Sequence, residues 1–365
     1  MPFPAASTTH LLRDILRQPA ELRRTFEYLR GNGRRALDNA ANAIRGARHI
    51  YLTGIGSSWH AALAAGHLFH SNGNPVHLLD AAELVHGATF PEDSAIVIIS
   101  RSGRSAEIVA LLSKLRRSAV KTVGITNAPD GCLARESQFP IVVPIELDHA
   151  ISVNTYSTLA AAAGALASAV ADLFDTPPSS SLISALTETE KILGCWRDQA
   201  EDSPWFSPGA VHYFLGRGSS LGTCHEARLL WEEGAKSPAT AMGTASFRHG
   251  PQEIIVPGMR FAIWIDGQRM REEDLAIARD LMQLGASVML VGQRLPEKAA
   301  DLIFQLPPID PAWQFLTEII PAQLAAERLA RLSGVDCDSF RLCSYIVEYE
   351  YGLLPEEIVA PKDEK

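Results

Sequence analysis

An internal repeat constrains this chain more than any other feature. The segments "HIYLTGIGSSWHAALAAGHLF" (49–69) and "HYFLGRGSSLGTCHEA" (212–227) share one grammar: an apolar run, a glycine-serine turn, then a helix-like stretch. Gly56-Ser57-Ser58 and Gly218-Ser219-Ser220 therefore hold equivalent places, at a spacing near half the chain length. Such a period implies two copies of one unit. A later strand continues the match, "KTVGIT" (121–126) against "ASVMLVG" (286–292). Short β-branched runs without alternation, each leading into a helix, fit strands of a parallel sheet buried on both faces. The expected fold class is α/β: two flavodoxin-like units, each a parallel sheet with helices on both faces.

The copies diverge at one loop. In "AIVIISRSGRSAEIVALLSKLRR" (95–117) a buried strand runs into a loop bearing Ser100, Ser102 and Ser105, and Ile108, Val109, Leu111, Leu112 and Leu115 then recur at helical spacing. The loop thus joins a strand's carboxyl end to a helix's amino end, where free N–H groups and the helix dipole favour an anion. A phosphate fits, although an ordinary capped helix start uses the same residue types. In the second copy "FAIWI" (261–265) runs into "DGQRMREED", beginning at Asp266, and carboxylates there would repel a phosphate. Only the first unit is expected to keep the cradle.

A chain of 365 residues, 47% hydrophobic and 21% charged, has the length and composition of about two ordinary globular domains. Its net charge of −9 gives no general attraction for nucleic acid or an anionic membrane, so any anion must be bound locally. The apolar stretch 159–174 is shorter than the roughly 20 residues that span a bilayer and reads as a buried helix. The amino terminus shows no export signal, and Cys132, Cys195, Cys224, Cys337 and Cys343 lack metal-ligand spacing. A reducing cytoplasm is expected, with all five cysteines structural and no metal or organic cofactor. The organisation reads as a helical arm (1–47) broken at Pro19 and around "GNGRR", a first unit (48–175), a linker and helix (176–207) signalled by "DTPPSSS", a second unit (208–340) and a tail (341–365). A helix-turn-helix in the arm is the alternative there, but the arm is too short for a separate DNA-binding domain.

Together the repeated Gly-Ser-Ser turns, "SRSGRSAE" and "HEARLLWEEGAKSPATAMGTASFRHGP" resemble the double sugar isomerase (SIS) domain family, and within it the isomerase half of the glucosamine-6-phosphate synthases. The resemblance covers nearly the whole chain. It implies two SIS domains, a homodimer with an active site shared between subunits, and a sugar-phosphate substrate. Moving a proton between C1 and C2 of such a sugar requires a base beside an anchored substrate. Glu226 and Glu233, seven apart on one helix face, are candidates from the residues alone, against the plainer reading of a solvated acidic face. The resemblance gives Glu233 the proton-transfer role and His249, sixteen residues on, the ring-opening role from the neighbouring subunit. Ser57, Ser58, Ser100, Ser102, Ser105 and Glu226 would then bind the substrate or its phosphate.

Three departures narrow the expectation. No amide-hydrolysing domain precedes the arm, so a complete synthase is not expected. Tyr345, in "RLCSY", stands where the synthase has its Schiff-base lysine, and Leu230 replaces a helix lysine near its active site. Deaminase, deglycase and aldose–ketose isomerase readings remain, with a non-catalytic sugar-phosphate sensor as the alternative of another class.

Overall fold

A computed structural model describes residues 8–350 and 352–353. The chain opens with α1 (His10–Arg30) and α2 (Arg34–Arg45), separated at the glycine-rich turn. Thr9 starts α1 by accepting the Leu12 N–H at 3.0 Å. The break expected at Pro19 does not occur. Leu11, Leu12, Ile15, Leu22, Phe26 and Leu29 form one buried stripe along α1, and its burial outweighs the roughly 3 kcal/mol cost of an interior proline.

The first sheet comprises β1 (His49–Thr53), β2 (His77–Leu78), β3 (Ser94–Ile99), β4 (Lys121–Thr126) and β5 (Phe139–Val142). Its helices are α3 (Ser57–Ser71), α4 (Ala81–Gly87), α5 (Ala106–Leu115), α6 (Cys132–Glu136) and α7 (Asn154–Val170). Next, α8 (Pro177–Asp202) includes most of the stretch expected to be a linker. Prolines at its first positions start the helix, because no intrahelical N–H bond is needed there. The second sheet holds β6 (His212–Gly216), β7 (Ala239–Gly243), β8 (Arg260–Ile265), β9 (Ser287–Gly292) and β10 (Leu302–Gln305). It is accompanied by α9 (Ser219–Glu233), α10 (Thr244–Phe247), α11 (Arg271–Gln283) and α12 (Phe315–Ser333).

Both sheets are wholly parallel, and their strand orders, β2-β1-β3-β4-β5 and β7-β6-β8-β9-β10, are the same order in each unit. The repeat extends to backbone angles. Gly56 caps α3 with φ 56° and ψ −133°, and Gly218 caps α9 with φ 55° and ψ −128°, a conformation open to glycine at little cost. One buried apolar cluster runs from Leu11 to Cys337 and takes side chains from both sheets, while smaller clusters cover each sheet's other face. Every residue of α7 is buried, and its apolar side chains belong to this cluster. At the centre α3 meets α9 so closely that a Cβ on Gly222 would lie 2.6 Å from the Ala64 nitrogen and 2.8 Å from the His60 oxygen.

All five cysteines are free thiols. Cys224 and Cys337 are buried, but Cys195 and Cys343 are exposed, so a packing role fails for those two. Among the described residues no helix is long and apolar enough to cross a membrane.

Candidate active site

A cavity of about 280 Å³ opens beyond the carboxyl ends of β1 and β3, where the strand order reverses. Ser57, Ser58, Ser100, Ser102, Ser105 and Glu233 all line it. The serine loop is shaped by its own side chains: the Gly103 N–H donates to Ser100 Oγ at 3.1 Å and the Arg104 N–H donates to Ser102 Oγ at 3.2 Å. Both oxygens are accepting, so both hydroxyl hydrogens stay available to a ligand. Gly103 makes the tight bend at φ 63°, against Leu133, where a side chain would collide. Ser105 occupies the N-cap of α5 without a side-chain capping bond, which leaves its hydroxyl free of that duty.

Glu233 ends α9 and faces this loop across the cavity. Burial, with a smaller contribution from Glu226, pushes its carboxyl up to about 7, against the pull of Arg101 and Lys236. A carboxylate poised there can both take and return a proton near neutral pH.

Glu226 does not line the cavity, because it is turned into the α3–α9 contact with 1% of its surface exposed. There it accepts the Ser57 hydroxyl at 3.0 Å and lies 2.8 Å from His60 Nδ1. His249 also lies outside the cavity, exposed in the turn after α10. Leu230, which replaces the family's helix lysine, is packed in the core with 1% exposure. The cavity wall from that turn of α9 is Leu229.

Of the wall residues from the tail, only Tyr345 was marked for the site by the resemblance, and Cys343 was read as structural. Phe340, Cys343, Ser344, Tyr345, Ile346 and Val347 bring the tail back over the serine loop, more than 200 residues away in the chain. Tyr345 donates its hydroxyl to the Asp148 carbonyl at 3.2 Å. Arg101 stacks on the Tyr345 ring, 4.0 Å from its centroid, and donates to the Tyr345 carbonyl at 2.5 Å. The Ala106 N–H, in the first turn of α5, donates to the Val347 carbonyl at 3.0 Å. Arg101 supplies a cation to the cavity and Glu107 a carboxylate. Arg101 stands between two serines already read as ligands, so alternation in that loop was its one sequence signal. Among the described residues no three His, Cys, Asp or Glu side chains gather as a metal site.

The equivalent loop of the second unit is held by its own side chains and carries carboxylates in place of serines. Asp266 accepts the N–H groups of Gln268 and Arg269 at 2.8 and 3.2 Å, and Glu272, Glu273 and Asp274 occupy the first turn of α11. Arg217 grips Asp274 through contacts of 2.8 to 3.0 Å. Arg269 lies 2.7 Å from His67 of α3.

Known proteins share this fold. A family model described as the SIS domain matches residues 43–169. A glutamine–fructose-6-phosphate aminotransferase (isomerizing) of Geobacillus kaustophilus is 25% identical over 342 residues, which span 91% of this chain and 57% of that protein. This chain therefore corresponds to little more than half the length of that relative. Among solved structures, the C-terminal domain of glucosamine-fructose-6-phosphate aminotransferase from Francisella tularensis superposes with a TM-score of 0.80 at 20% identity, over 92% of this chain and 99% of that one. Glucosamine-6-phosphate deaminase from Thermotoga maritima superposes with a TM-score of 0.77 at 20% identity, over 93% and 99% of the two chains. These likenesses extend the shared fold beyond the matched domain. Residues 43–169 match the SIS domain, within a fold similar to that of the aminotransferase C-terminal domain and of the deaminase.

Proposed function

We propose that the protein is a phosphosugar isomerase-type enzyme acting on a hexose 6-phosphate or its amino derivative, and that its second unit is a diverged SIS domain. The observation that carries this reading is the placement of Glu233, with its carboxyl raised to about 7, across one cavity from the serine loop. Ser100, Ser102 and Ser105 donate to the phosphate and Arg101 adds charge. Anchoring at that end turns binding energy into orientation of the reacting carbons. Glu233 takes the proton from one of C1 and C2 and returns it to the other, through an enediol or enolamine. Where the carbon that gives up its proton carries the amine, this transfer leaves an imine at that carbon, which water hydrolyses to a carbonyl with release of the amine. A base in this role contributes about 10²- to 10⁴-fold to rate.

Amine release is favoured over amine incorporation, because Tyr345 has no amine with which to form a protein-bound imine. The shared site is supported by the exposure of His249 away from its own cavity, as a residue serving a second subunit requires. A sugar-phosphate sensor is the second reading, favoured by the apolar Leu229 and Leu230 on the helix carrying Glu233.

Purified protein should be offered hexose 6-phosphates, their 2-amino derivatives and fructosamine 6-phosphates, with amine release and ketose formation followed. Glu233→Gln and His249→Ala should each be nearly inactive. Mixed in equal amounts under subunit exchange, they should recover about a quarter of wild-type activity, since half the dimers are mixed and each has one intact site. Full activity of Glu233→Gln would remove proton transfer and favour the sensor. Failure of the mixture to recover would place His249 in its own subunit's site.

A further inference from the structure

Ser57 faces the same cavity as Ser100 and Ser102 but has the opposite hydrogen-bond polarity. Its hydroxyl lies 3.0 Å from Glu226 Oε1, and the other carboxylate oxygen lies 2.8 Å from His60 Nδ1. Glu226 and His60 are 1% and 4% exposed, so water does not supply alternative partners. An ionised carboxylate only accepts, and a buried one must be matched by donors. His60 therefore carries its hydrogen on Nδ1, and Ser57 commits its hydroxyl hydrogen to Glu226. What Ser57 presents to the cavity is a lone pair. In the serine loop the backbone donates to the hydroxyl oxygens, so those serines present hydrogens instead.

We propose that Ser57, oriented by Glu226 and by His60 acting through it, is a specificity-determining acceptor that binds a hydroxyl or ammonium of the sugar and does not hold the phosphate. His60 is a positioning residue. This rests on the phosphosugar reading and deepens it: the cavity has a donor end for the phosphate and an acceptor end for a sugar O–H or N–H. Gly222, by letting α3 and α9 approach, places Glu226 under Ser57.

Calorimetry with inorganic phosphate and with the phosphosugar preferred in the substrate panel separates the two ends. Ser57→Ala should weaken phosphosugar binding by about 2- to 10-fold, the range for one hydrogen bond, and leave inorganic phosphate binding unchanged. His60→Leu should act in the same direction, and His60→Asn, which retains an N–H donor, should recover the loss. Glu226→Gln tests the polarity itself. With its carbonyl held by His60, its amide donates to Ser57 and turns that hydroxyl outward as a donor. Phosphosugar affinity should fall while inorganic phosphate affinity rises. Melting curves check that each variant is folded, and Ser57→Ala, a small change at the cavity wall, keeps the test available if Glu226→Gln is not. Equal losses for both ligands in Ser57→Ala would overturn this assignment alone. Absence of phosphate binding in wild type would overturn the phosphosugar reading and the assignment with it.

Discussion

Each Gly-Ser-Ser turn hands one hydroxyl to a buried carboxylate, Ser57 to Glu226 and Ser220 to Glu318, but only the first turn also borders the candidate cavity, through Ser57 and Ser58. Ser220 donates to Glu318 Oε2 at 3.0 Å, Thr223 donates to Oε1 at 2.7 Å, and Gln314 donates at 2.8 Å. Glu318 is fully buried on α12. The glycine dihedrals of the two turns agree within a few degrees. The turn is therefore a device for starting a helix tight against a strand, and binding depends on what fills the space beyond it. In the first unit the space is rimmed by serine hydroxyls. In the second it is bordered by the Arg217–Asp274 and Arg269–His67 contacts.

The comparison can be broken at its strongest point by removing the serine hydroxyls of the first unit. Replacing Ser100 and Ser105 together by Ala, or Ser102 alone, should weaken phosphosugar binding by roughly 1 to 3 kcal/mol, about 5- to 150-fold. Equal affinity for the free and phosphorylated sugar in calorimetry would show that the loop is no anchor. Ser220→Ala should behave in the reverse way. It should lower stability in urea unfolding by about 0.5 to 1.5 kcal/mol, the range for one hydrogen bond, with ligand affinity untouched. A loss of affinity there would mean that the second turn also serves a ligand.

The smallest effect sharpens the charge on the cavity. Glu233 must be ionised to act as a base, so kcat/KM should rise with pH through about 7. Arg101 holds that carboxyl down, and its removal favours the neutral acid. In Arg101→Gln the acid limb of the pH–rate profile should therefore move upward. A limb that stays fixed would dissociate Arg101 from the base.

Legibility in the sequence followed distance along the chain. Strand, glycine turn and helix are local, so the repeat, the strand equivalences and the serine loop are legible in the sequence itself. Glu233 was reached through spacing and resemblance. The tail's return over the loop is a tertiary event: resemblance set Tyr345 at the site, but no local signal tied Phe340, Ile346 or Val347 to residues 100–106. The polarity of Ser57 depends on Glu226, 169 residues away. Pro19 shows the opposite limit: a strong local signal was overruled by burial on both sides of it. Leu230 shows a third. Resemblance placed it near the chemistry, but helix geometry turned it to the core and gave the wall to Leu229.

The continuous apolar cluster from Leu11 to Cys337 bears on the history of such a chain. A tandem duplication begins as two self-sufficient copies, each able to survive without the other. Here α3 of one copy and α9 of the other are pressed together at Gly222 with no room for a methyl group, and α1 and α12, from opposite ends of the chain, share the same interior. Neither copy could be deleted without exposing the other's core to water. The second unit is thus the wall against which the first is built.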